Sequence, residues 1–112
     1  MALDKAKKAS ALMPSEPSIL ITLGAAQYRL GFYENALKTL AKCAKLLSDE
    51  EETDPANVAF TAMTLHRIGR MEEAKAALGQ LRELCKQEHF TWDMDVQGLL
   101  AEAEKVFADE KQ

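Results

Sequence analysis

The chain has 112 residues, 47% hydrophobic and 29% charged, enough for one small domain with a core and a solvated surface. Its formal net charge of -4 argues against a general nucleic-acid binder, which needs a basic footprint. No apolar run approaches the roughly 18 residues of a membrane span, and the lysine-spaced start, Met1 to Met13, does not read as a signal peptide.

The first stretch, 2–13, reads as a helix. It slides onto the segment beginning at Ala36 with an offset of 34 residues: Ala2 meets Ala36, Leu3 meets Leu37, Ala6 meets Leu40 and Ala9 meets Cys43. The next helix is expected over 16–30, with Ile19, Leu20, Leu23, Ala26 and Leu30 inward, and Gly31 stops it as a left-handed cap. A third follows over 33–47, with Ala36, Leu37, Leu40, Cys43, Ala44 and Leu47 on one side.

The plan then recurs. Arg29-Leu30-Gly31-Phe32-Tyr33-Glu34-Asn35-Ala36 aligns with Arg67-Ile68-Gly69-Arg70-Met71-Glu72-Glu73-Ala74 at an offset of 38 residues. The four extra residues fit in the acidic stretch from Ser48 to Asp54. A helix over 55–68 starts with Asp54 as N-cap and Pro55 in the first turn, and its inner stripe is Val58, Ala62, Leu65 and Ile68. Gly69 ends it. The helix over 71–87 carries Ala74, Leu78, Leu81, Leu84 and Cys85. The final helix, 94–108, is amphipathic, with Val96, Leu99, Leu100, Ala103, Val106 and Phe107 in one stripe, and suits the terminal cap of a stacked array. Trp92, between the last two helices, is expected to pin that cap to the core.

These residues resemble a tetratricopeptide repeat, whose pattern is W-x2-L-G-x2-Y, then A-x3-F, then P. Leu20 stands for the tryptophan, Leu23-Gly24 match the Leu-Gly pair, and Gln27 replaces the tyrosine with Tyr28 beside it. Ala36 and Leu40 match the next pair, and Ser48 falls at the closing proline. The second unit is more degenerate, with Val58, Thr61, Ala62 and Leu65, then Ala74 and Leu78; Pro14 matches the closing proline of a preceding partial unit. The ending also resembles the C-terminal end of bacterial proteins that carry many such repeats.

The resemblance implies an all-α domain over 1–112: antiparallel helix-turn-helix units stacked as a short right-handed solenoid. Its parts are a lone second helix (2–13), repeats over 16–47 and 55–87, and a capping helix (94–108). It also implies a protein-interaction scaffold with no catalysis of its own, and two cysteines without a disulfide framework suit a cytoplasmic setting. A protein or peptide partner would lie in the groove lined by the first helix of each repeat. The residues there are Ile21, Ala25, Tyr28 and Arg29 on one helix and Ala59, Met63, His66 and Arg67 on the other, related by the same 38-residue shift. Each set ends on a ring beside a guanidinium, which suits an acidic or C-terminal carboxylate group. Two further readings stand beside this one. One is a homo-oligomerisation module that covers its open N-terminal end with a second copy. The other is a regulatory repeat segment of a larger signalling protein.

The remaining chemistry-bearing residues point to no enzyme, metal or cofactor. His66 and His89 are the only histidines, and they are not clustered with Cys43 or Cys85 at ligand spacing. Cys43 takes the small-residue position of Ala9 and reads as a buried, inert thiol. The run Asp49-Glu50-Glu51-Glu52-Thr53-Asp54 holds five of the 18 acidic residues; the others number one fewer than the 14 basic residues, so the net charge resides in this loop. It lacks the alternation and glycine of a calcium loop. No phosphate-binding glycine loop, nucleophilic triad or paired-carboxylate site is present in the sequence.

Overall fold

A computed structural model describes residues 16–49, 53–87 and 94–109. Among the described residues the chain is helical without strands: α1 (Pro17–Arg29), α2 (Tyr33–Asp49), α3 (Pro55–Arg67), α4 (Met71–Lys86) and α5 (Met94–Asp109). The bounds lie within two residues of those the periodicity predicts. The expected helix over 2–13, with Pro14, His89, Trp92 and the centre of the acidic run, lies outside the described residues.

The two hairpins are built alike. Proline opens both α1 and α3, where its missing N–H is harmless. Asp54 caps α3 through its side chain, accepting from the Ala56 amide at 2.8 Å. Both helices end on a glycine at positive φ, 87° at Gly31 and 84° at Gly69. The amide of Phe32 donates to the Gln27 carbonyl and that of Gly31 to Tyr28; Arg70 to Leu65 and Gly69 to His66 repeat the motif. This double bond pattern satisfies the last carbonyls and turns the chain back at once.

Pairing within each hairpin is the most extensive, α1 on α2 and α3 on α4. The hairpins meet through α2 against α3, with a smaller approach of α1 to α3. Helix α5 lies on α3 and, less extensively, on α4. Helices α2 and α4 do not approach one another directly, because α3 lies between them.

Helix α3 is therefore central and buried nearly all round, which a chain does only with a helix surrounded by neighbours. The expected inner stripe covers part of this: Val58, Ala62 and Leu65 are buried, but so are Ala59, Phe60, Met63 and His66 on the other side. Helix α1 buries Leu20, Leu23, Gly24, Gln27 and Tyr28. Leu30, expected inward, is 47% exposed because it is the residue on which the helix ends. Ala44, also expected inward, is exposed on α2.

Helices α1 and α2 approach closely at Gly24. A Cβ built there would stand 2.6 Å from Cδ2 and 2.7 Å from Cγ of Leu40, itself fully buried. Replacing a helical glycine with alanine ordinarily gains about 1 kcal/mol. Here overpacking of about 1–3 kcal/mol opposes it. Gly24→Ala is expected to lower stability by about 1 kcal/mol, read as a lower urea midpoint at unchanged slope.

Candidate functional site

The residues expected to line a first-helix groove fall into two groups. Ile21 and Ala25 on α1 are half-buried, and Arg29 and Arg67 stand at the surface. Tyr28, Ala59, Met63 and His66 are buried, with Ala59 and Met63 at 0% exposure. Ala59 and Met63 belong to one core cluster with Val96, Ala103 and Val106 of α5. The second hairpin therefore does not offer this face to a partner, since the chain's own last helix lies on it. Its apolar stripe supplies the match, as Val96, Ala103 and Val106 are buried.

The polar members of the same set close the edges of that contact. Arg29 donates from Nη1 and Nη2 to the two carboxylate oxygens of Glu102 at 3.1 and 3.2 Å, a bidentate pair between α1 and α5. Its guanidinium carbon also stands 5.4 Å from the Phe60 ring centre. The Arg67 Nε donates to the Tyr28 hydroxyl at 3.4 Å, and the Tyr28 ring meets Phe60 edge-on at 5.9 Å. The His66 ring lies 4.5 Å from that of Phe107. On the far flank Arg82 of α4 donates to Glu104 at 2.9 Å. With side chains 57% and 36% exposed, the Arg29–Glu102 pair contributes at most about 1 kcal/mol and orients more than it stabilises. Arg29 thus meets the ring of Phe60 and Arg67 the hydroxyl of Tyr28, each across elements.

A different surface remains open. Because α2 and α4 stand apart on either side of α3, a cleft of about 680 Å³ runs between them. Its walls are Leu37, Ala41 and Ala44 of α2 and Ala77 and Gln80 of α4, over a floor of Val58 and Thr61 of α3. Asn57 and Asp54 lie at the end where α3 begins. Both are engaged within the fold, Asn57 donating to the Leu40 carbonyl at 3.0 Å and Asp54 capping α3. The exposed position of Ala44 belongs to this cleft, and a sequence stripe cannot separate a wall facing a core from one facing an apolar cleft.

Both cysteines are free and buried. Burial pushes the Cys43 thiol up, reinforced by the Asp54 charge and partly offset by its hydrogen bond with Asn57. Burial likewise raises Cys85, with Glu104 adding to it. Neither is an activated nucleophile, which needs the opposite shift. Among the described residues no three His, Cys, Asp or Glu side chains could hold a metal ion, and no helix is long and apolar enough to cross a membrane. Comparison with protein-family models, curated proteins and solved structures returns no match to this chain.

Phe107→Ala removes the ring against His66 and is expected to cost about 2 kcal/mol, a part of the usual penalty because Phe107 is only half-buried. Hydrogen exchange should quicken in α5 before the hairpins; uniform loss of protection throughout would refute independent release of α5. For the thiols, the unfolded chain ionises first as pH rises. The stability they contribute is full below the ordinary thiol value and declines as pH climbs towards their raised folded values. Alkylation of native protein at neutral pH should be slower than that of free cysteine, and a Cys43→Ala/Cys85→Ala variant should lose less stability in alkali than the parent.

Proposed function

We propose that this chain is a protein-interaction module of tetratricopeptide-like helical hairpins, without chemistry of its own, that receives a segment of another protein in the cleft between α2 and α4. The observation that carries the reading is the cleft itself: about 680 Å³, walled by leucine and alanine and floored by the central helix. That volume and lining fall in the range of built binding sites rather than packing defects, which are only a few water molecules across. The solenoid part of the reading is supported by the matching glycine turns and by α5 touching both helices of the second hairpin, as α3 touches both of the first. Two buried free thiols suit a reducing, cytoplasmic setting.

The first-helix face enters only as a scaffold in this reading. Its buried members hold α5, and a partner could reach them only by displacing that helix.

A photo-crosslinking amino acid at Ala44, in the cleft wall, is expected to yield a discrete adduct with another protein in source-cell extract. The same group at Ala101, exposed on α5, should not. Ala41→Trp, which narrows the cleft from a position already open to solvent, should remove the adduct while leaving the helical signal intact. Equal adducts from both positions, or none from Ala44, would sink the proposal.

A further inference from the structure

The charges around the cleft are uneven, and the unevenness specifies a partner. On α2, Lys38, Lys42 and Lys45 follow one another at i, i+4 and i+7. Each lies one position beyond a cleft-wall residue, Leu37, Ala41 and Ala44 respectively, so the three form a row along the outer edge of that wall. All three are exposed, and none makes an ion pair among the described residues. Glu34 and Asp49 stand at the two ends of the same row.

On the opposite side, Glu72 and Lys75 of α4 are exposed and of opposite sign, with no ion pair among the described residues. On α4, Glu73 is paired with Arg70 and Glu83 with Lys86, each within its own turn or the one beside it. Gln80, in the wall itself, is uncharged. At the end of the cleft Asp54 is committed to the Ala56 amide. The most concentrated unpaired charge of one sign beside the apolar surface is therefore the lysine row, with Glu34 and Asp49 at its ends.

We infer that the occupant of the cleft is an amphipathic helix with an apolar stripe and carboxylates along one edge, its acidic edge lying against Lys38, Lys42 and Lys45. The geometry agrees with a helical ligand. Positions i to i+7 span about 10 Å of helix axis, and Asp or Glu at i, i+3 or i+4, and i+7 on a helix laid alongside repeats the same interval. The small walls at Ala41, Ala44 and Ala77 let larger side chains of the ligand enter between α2 and α4. An apolar stripe supplies affinity, and the lysine row sets orientation and partner choice. This inference rests on the cleft reading above and adds the chemistry of the partner to it.

The test is selection from a displayed library of random linear peptides, using the full chain as bait. Three baits are compared: the parent, Ala41→Trp, and Lys38→Glu/Lys42→Glu/Lys45→Glu, each checked by circular dichroism for retained helix. The parent should enrich peptides with an apolar i, i+3, i+4, i+7 stripe flanked by Asp or Glu. The charge-reversed bait should bind those peptides roughly tenfold or more weakly, with three exposed pairs each contributing a few-fold, and should enrich Lys- or Arg-flanked peptides instead. Raising salt should weaken the parent complex and leave the apolar requirement unchanged.

If peptides are enriched and lost on Ala41→Trp but are indifferent to the lysine reversal, the cleft reading stands and the acidic partner is overturned. If Ala41→Trp binds the enriched peptides as well as the parent does, or if none is enriched, the cleft reading itself fails. Enrichment of proline-rich, extended peptides overturns the helical ligand. A concentration-dependent dimer of the parent that Ala41→Trp abolishes makes a second copy the occupant and overturns the inference equally.

Discussion

Leu40 joins three helices at one point. Its fully buried side chain presses on α1 where Gly24 leaves no Cβ, and its backbone carbonyl accepts a hydrogen bond from Asn57 of α3. The side chain closes the first hairpin, while the carbonyl fixes the second hairpin against it. Because Asn57 is buried, its amide needs that partner, and the contact has a defined register rather than a sliding apolar surface. The separation of α2 from α4 and the cleft over α3 both follow from α3 being held at this depth beside α2.

The same depth explains why α3 has no spare face. Helix α2 covers one side, α4 another, and α1 and α5 the rest. A residue such as Met63 becomes core because a fifth helix arrives, although nothing in its own turn of helix requires this. Arg29 and Arg82 then mark the two flanks of α5 and meet Glu102 and Glu104 from opposite sides. These exposed pairs define where α5 lies, while its buried valines and Ala103 supply the free energy.

The hairpins were legible from the sequence because their determinants are local. Glycine at positive φ, proline in the first turn and the aspartate cap act within a few residues, so Gly31, Gly69, Pro55 and Asp54 could be placed by inspection. Burial at Leu20, Leu40, Cys43 and Leu81 followed from periodicity for the same reason. What depended on distant elements was not legible. Gln27 is buried with its side-chain oxygen accepting from Thr39, a pairing across a turn that hydropathy reads as surface. Ala59, Met63 and His66 looked like a second, ligand-facing stripe because a period of 3.6 residues distinguishes faces and cannot say which neighbour covers them. The cleft escaped because Leu37 and Ala44 are apolar whether they face a core or an opening.

The glycine turns bear on the order in which the chain acquires its structure. Each brings two helices into contact across a handful of residues, so closing a hairpin restricts little of the unfolded chain. Contacts of α5 are of another kind, since Arg29 and Glu102 are 73 residues apart and Tyr28, Phe60 and Val106 share one cluster. The Arg29–Glu102 contact needs α1 and α5 both in place and closes a long loop, while the rest of α5 lies on α3 and α4 of the second hairpin. These loop lengths favour a hierarchical order in which the hairpins close locally and α5 then joins the second of them, with Arg29 reaching it from the first.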